Sequence, residues 1–158
     1  MSEPILRRAD LADPADLAKV VALLAAFRHE EDDAETPWPI REGLGSHLRR
    51  RASFVLLAEI DGAAVGLLVA QRTLASFQAV DSCNIHDMFV AKDARGRGIG
   101  RTLMTLAEDH ARALGCGKMT LEVNADNAAG LGLYRSLGYD VPEGDLPAGA
   151  TLFVRKPL

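Results

Sequence analysis

Two neighbouring stretches carry residue types that could do chemistry. Ile85-His86-Asp87-Met88-Phe89-Val90 sets one imidazole and one carboxylate in an apolar segment. Arg95-Gly96-Arg97-Gly98-Ile99-Gly100-Arg101 follows, with glycine at every other position and three arginines around them. Glycine lets a backbone turn sharply and approach a ligand closely, because no Cβ stands in the way. A helix start leaves its first amides without intrahelical acceptors and presents the positive end of the helix dipole. With guanidinium groups at hand, such a turn suits the oxygens of a phosphate. Two familiar phosphate loops are excluded. The dinucleotide fingerprint Gly-x-Gly-x-x-Gly differs in its last spacing and belongs to an early strand–turn–helix unit, and the Gly-Lys-Ser/Thr ending of a nucleoside triphosphate loop is missing.

Composition bounds what this turn could serve. The chain has 158 residues, 48% of them hydrophobic, which suits one domain with a single substantial core. A net charge of −4 with 25% charged residues speaks against a general nucleic-acid surface, which needs concentrated excess cation. The arginines instead cluster at Arg49 to Arg51 and Arg95 to Arg101, a pattern for one anionic ligand. Cys83 and Cys116 make no disulfide framework, and four histidines without a close Cys/His grouping argue against a structural metal site. No charged-then-apolar leader opens the chain, and no apolar run reaches about 18 residues. The expectation is a soluble cytoplasmic protein with no membrane, nucleic-acid or metal partner.

Strands and helices must position that turn. Pro4 to Arg8 reads as a first strand. Asp13, Pro14 and Asp16 form a helix start, and Leu17, Val20, Val21, Leu24 and Phe27 recur at helical spacing as far as about His29. Glu30 to Pro39, with five acids and two prolines, reads as a loop. Ile40, Leu44 and Leu48 suggest a second helix ending in Arg49 to Arg51. Ser53 to Glu59 and Ala63 to Leu74 are strands joined by the hairpin turn Asp61-Gly62, with Gly66 at a bulge or a close approach. Cys83 to Val90 is the strand before the glycine turn. Ile99, Leu103, Leu106, Ala107 and Leu114 form the buried side of the helix after it, which Gly115 stops. Lys118 to Val123 is a strand, and Asn127 caps a short helix from Ala128 to Leu137. Gly130 and Gly132 inside that helix signal close packing or marginal stability. Pro142 to Gly149 is a loop and Thr151 to Lys156 a last strand. The element order gives an α/β fold, a mixed sheet with helices on both faces.

Arg95-x-x-Gly98-x-Gly100, preceded by the apolar strand and followed by Leu121-Glu122-Val123, Asn127, Leu133-Tyr134 and Leu137-Gly138-Tyr139, resembles the GCN5-related N-acetyltransferase (GNAT) superfamily. The resemblance is close from Cys83 to Tyr139, and the remainder agrees in element order. It implies one acetyltransferase domain over residues 1–158, a mostly antiparallel sheet with a central parallel strand pair that splays apart, and acetyl-CoA as cofactor. By the same resemblance, the backbone of Met88, Phe89 and Val90 pairs with the pantetheine arm. Amides over Arg95, Gly96, Arg97, Gly98, Ile99, Gly100 and Arg101 hold the pyrophosphate, and Asn127 and Tyr134 approach from the other lip. A homodimer is common among such proteins; the sequence neither supports nor excludes it.

Direct acetyl transfer to an amine needs a neutral nucleophile, a polarised thioester and a proton for the departing thiolate. The resemblance gives Tyr134 as the general acid, and a phenol with a pKa near 10 is protonated at neutral pH. A backbone N–H of Phe89 or Val90 would polarise the carbonyl. Two bases compete. Glu122 matches the glutamate of ribosomal-protein N-terminal acetyltransferases, or is a solvent-side strand residue. His86 could act through water with Asp87 positioning it, or could serve packing or substrate orientation. Cys83 and Cys116 lack a base partner, so an acyl-cysteine route is not expected. By the same resemblance the first two helices and their loop form the acceptor site, where Phe27, Glu30, Glu31 and Trp38, with Asp87, suit a small cationic amine; the alternative is that the acidic loop is a solvated connector. A ribosomal-protein or other protein amine is the alternative, and a non-catalytic acyl-CoA sensor is a third.

Overall fold

Six strands lie side by side in chain order: β1 (Ile5–Arg8), β2 (Ser53–Ile60), β3 (Ala63–Thr73), β4 (Asp81–Val90), β5 (Cys116–Asn124) and β6 (Thr151–Pro157). The computed structural model describes residues 2–32, 43–50, 52–76 and 79–158. Every neighbouring pair is antiparallel except β4 and β5, which run parallel because α3 (Ile99–Ala113) returns the chain between them. α1 (Pro14–Asp32) and α2 (Leu44–Arg50) connect β1 to β2, and α4 (Ala128–Ser136) connects β5 to β6. The expected mixed α/β sheet, mostly antiparallel with one parallel pair, is the observed one.

Alternation along the strands sorts two apolar layers. Phe54, Leu56, Leu68, Ile85 and Leu121 pack with Ile99, Leu103, Met104 and Ala107 of α3. Val55, Leu57, Leu67, Val69 and Phe89 face the other way and pack with Val20 and Leu23 of α1. Because both faces of β2 are covered, its sequence is a continuous apolar run. Each large side chain taken fully out of water contributes about 1.5–3 kcal/mol. Two expectations need correction. Glu30 is not in a loop: α1 continues to Asp32. Leu114 is not on the buried side of α3: it caps the helix and is 40% exposed, and Met104, Glu108 and Ala111 face the core instead.

Two bulges shape the centre of the sheet. Ala58 pairs with Gly66 and Glu59 with Ala64, so Val65 is extra. A Cβ on Gly66 would lie 3.3 Å from the Phe89 carbonyl oxygen and 3.4 Å from Ile99 Cγ2, so this glycine also marks a close approach. On β4, Val69 pairs with Asp87 but Ala70 with Ile85, which leaves His86 as the extra residue. Ile85 and Met88, three apart, therefore both pack on the α3 side. A bulge bends its strand. Just before it, pairing of β4 with β5 stops at Ile85 and Leu121, although β4 runs on to Val90 and β5 to Asn124. The parallel pair splays.

Among the described residues no helix is long and apolar enough to cross a membrane.

Candidate active site

The splay leaves the ends of β4 and β5 facing each other across a cavity of about 840 Å³. Met88, Phe89 and Val90 line one lip, and Glu122, Val123 and Asn124 the other. The amide of Ala91 donates to the Val65 carbonyl at 2.8 Å. Backbone direction alternates along a strand, so the amide and carbonyl of Val90 turn away from β3 toward the gap. Arg95 Nε donates to that Val90 carbonyl at 2.9 Å.

The glycine turn closes the far end. Gly96 and Gly98 have φ of 75° and 76°, left-handed backbone that a side chain disfavours. A Cβ at either position would meet nothing within 4 Å, so their conformation, not packing, demands glycine and the space above them stays open. Thr102 makes the first internal bond of α3, to the Gly98 carbonyl at 3.0 Å. Amides 96–101 precede it and have no acceptor among the described residues. Gly100 differs: a Cβ there would touch Leu133 Cδ2 at 3.4 Å, so its bareness lets α3 approach α4. The three arginines take different directions. Arg95 lines the cavity, whereas Arg97 donates to the Ser2 carbonyl at 2.7 Å and Arg101 to Ser136 Oγ at 2.7 Å, and neither side chain lines it.

On the opposite wall, Asn127 Oδ1 accepts the Gly130 amide at 2.9 Å and so caps α4. A Cβ on Gly130 would sit 2.7 Å from Asn127 Nδ2, which explains that glycine; Gly132 has open space around it. The cap brings Asn127 and, two turns on, Tyr134 to the cavity. The Tyr134 ring is buried and tilted against Tyr139 with centroids 5.9 Å apart. Its hydroxyl has no protein partner among the described residues, yet it is not sealed in. Burial pushes its pKa up to about 12, so it is a phenol at neutral pH. Across the gap, Glu122 is exposed between buried Leu121 and Val123 and also lines the cavity.

His86 and Asp87 stand apart. His86 is the exposed bulge residue and Asp87 is half-buried; neither lines the cavity. Burial raises the Asp87 carboxyl, with His86 opposing. Phe27 and Glu30 reach the cavity from α1. Trp38 lies outside the described residues, as does the side chain of Glu31. Sequence reading passed over Asp126 and Thr151 as cavity residues. Asp126 Oδ2 accepts the Gly149 amide at 2.9 Å and Ala125 N–H donates to the Ala150 carbonyl at 2.8 Å, bringing the start of β6 to the lip. No local pattern encodes that contact, because its partners are 23 residues apart. The cysteines are buried away from the cavity, and burial pushes the Cys83 thiol up to about 12.

A row of open amides, a diverging pair of backbone edges, a protonated phenol and a carboxylate thus share one cleft. These residues fit acetyl-CoA: the amides suit a diphosphate, and the strand edges suit the amide-bearing pantetheine arm.

Known proteins resemble this chain in sequence and in fold. An uncharacterized N-acetyltransferase of Bacillus subtilis (strain 168), YhfO, is 27% identical over 139 residues, 88% of this chain and 91% of that protein. Streptothricin acetyltransferase of Streptomyces lavendulae is 42% identical over 76 residues, 44% of this chain and 40% of that protein. The crystal structure of ribosomal-protein-alanine N-acetyltransferase from Brucella melitensis superposes with a TM-score of 0.75 at 26% identity, covering 98% of this chain and 99% of that one. Residues 17–139 match the Acetyltransferase (GNAT) family, and the chain belongs to it.

Proposed function

We propose that the protein transfers an acetyl group from acetyl-CoA directly to a primary amine, with a small cationic amine as acceptor. What carries this reading is that one cavity joins the open amides of Gly96, Gly98, Ile99 and Gly100 to Tyr134 and Glu122. Acetyl-CoA, when bound, supplies an acetyl group already activated as a thioester. Amides 96–101 and the Arg95 guanidinium hold its diphosphate, and the unpaired edge at Met88 to Val90 aligns its arm. The Val90 amide, turned to the gap, is the donor suited to polarising a carbonyl oxygen.

Proton handling falls to two side chains. An alkyl ammonium has a pKa near 10.4, so roughly one molecule in a few thousand is a nucleophile at pH 7. Glu122 takes that proton from the amine at the cavity wall. Tyr134, kept neutral by burial, donates its hydroxyl proton to the leaving thiolate. A protein α-amine is the second reading. It is favoured by Glu122 lining the cavity where His86 does not, and by the likeness to the Brucella melitensis enzyme.

Free-thiol release from acetyl-CoA with polyamines, amino sugars and short peptides tests all of this. Release with diamines is the expected result, and release with peptides alone establishes the second reading. Coenzyme binding without turnover on any amine would leave an acyl-CoA sensor.

A further inference from the structure

Glu30 stands where helix electrostatics disfavours it. The last turn of α1 reads His29-Glu30-Glu31-Asp32, three acids at the end whose dipole favours cations. A residue that works against its own element marks a position held for another purpose. Phe27 and Glu30, three apart, share a face of α1, and both line the cavity. Glu30 Oε1 lies 2.5 Å from Nη2 of Arg95, the first residue of the phosphate turn. Arg95 also holds the Val90 carbonyl through Nε and lies 5.8 Å over the Phe89 ring, which packs on Phe27 at 5.5 Å. One guanidinium therefore spans the acceptor-side helix and the coenzyme-side turn. Both side chains are about two-fifths exposed, at 43% and 41%, so water screens the pair and exchange is cheap.

We propose that Arg95 and Glu30 form an exchangeable ion pair that couples the two substrate sites: the coenzyme diphosphate draws Arg95 away, and the released Glu30 carboxylate receives the acceptor's ammonium. The proposal rests on the acetyl-CoA reading above and adds the residue that selects a cationic acceptor. A guanidinium has five donors, so its Nε can keep the Val90 carbonyl while the fork turns from carboxylate to phosphate. In the free protein Glu30 cancels some of the Arg95 charge, and Arg95 masks Glu30 from an amine. Binding of either ligand removes an obstacle to the other, and such linkage is reciprocal.

Calorimetric titration of coenzyme A, whose free thiol cannot transfer acetyl, and of 1,4-diaminobutane tests this on wild type and Glu30→Gln. Glu30→Gln is expected to bind coenzyme A alone about 3- to 10-fold more tightly, because Arg95 is no longer neutralised. Wild type is expected to bind the diamine at least about 5-fold more tightly when coenzyme A is present, and Glu30→Gln to lack that gain. A purely structural tie between α1 and the turn would instead weaken coenzyme binding on substitution. Unchanged or weaker coenzyme affinity in Glu30→Gln overturns the exchange. So does linkage that is absent from wild type or survives in Glu30→Gln. Wild type that binds no coenzyme A overturns the acetyl-CoA reading itself, and the coupling with it.

Discussion

Burial holds Tyr134 as a phenol across the physiological range, with its pKa pushed up to about 12. Because the folded-state value is raised, the neutral form persists below it, and Tyr134 loses its proton only as pH rises toward 12. A descending limb of the rate profile near pH 8 or 9 is therefore not expected from this residue. Tyr134→Phe keeps the ring that packs on Tyr139 and removes only the hydroxyl. It should lower turnover by about 10²–10⁴-fold with coenzyme A affinity little changed; turnover equal to wild type would remove the acid role. Glu122 and His86 are separable by their position. Glu122 lines the cavity and His86 does not, so Glu122→Gln should lower kcat by about 10²–10⁴-fold, and His86→Ala should leave it within a few fold of wild type.

At the scale of elements, α3 does two jobs with different residues. Its first turn holds open amides over Gly98, and its body fills the core. Leu103 is fully buried, so Leu103→Ala should cost about 2–5 kcal/mol in urea unfolding and leave the geometry of the turn intact. Gly98→Val reverses the pattern. Its β-carbon meets no protein atom but projects into the cradle, and φ of 76° is strained for any side chain. Loss of coenzyme A binding in a protein that still melts cooperatively is the expected outcome; unchanged affinity would sink the assignment of the turn. The two glycines of α4 should respond in opposite senses. Gly132→Ala, in open space, should stabilise by about 0.5–1 kcal/mol, and Gly130→Ala should destabilise by about 1 kcal/mol by evicting the Asn127 cap. Thermal melts of the pair decide it.

Across the whole molecule, one ionic cluster fastens the first strand and helix to the sheet. Arg7 makes paired bonds of 2.6 Å to both oxygens of Asp16 and a third of 2.6 Å to Glu59, which Lys19 also meets at 3.0 Å. The Arg7 bond holds the Asp16 carboxyl at about 2, below its ordinary 3.8. A depressed folded-state pKa means stability that is complete above pH 3.8 and lost as pH falls through that value toward 2. The loss should be about 1–2 kcal/mol, allowing for screening at the open side of Arg7, and Asp16→Asn should abolish this contribution to the pH dependence. Urea midpoints measured from about pH 5 down to about pH 2 report it. The cluster also fixes where α1 begins, and hence where Phe27 and Glu30, at its far end, meet the cleft.

Spacing and residue type in the chain were enough for the order of the elements, the mixed sheet, the glycine turn before α3 and the Asn127 cap. These are local: alternation, helical recurrence, capping and left-handed glycines are written into neighbouring residues. Tertiary structure alone decided the rest. His86 reads as chemistry in sequence, yet pairing with β3 makes it the bulge beside which β4 and β5 separate, and it stays outside the cavity. The three arginines of the turn look equivalent, but only Arg95 lines the cavity, because Ser2 and Ser136, distant in the chain, engage the other two. Glu30 reads as a loop residue until α1 is seen to continue through it and reach Arg95, 65 residues away. Contacts of that range depend on how the sheet brings its edges together, and no stretch of sequence carries them by itself.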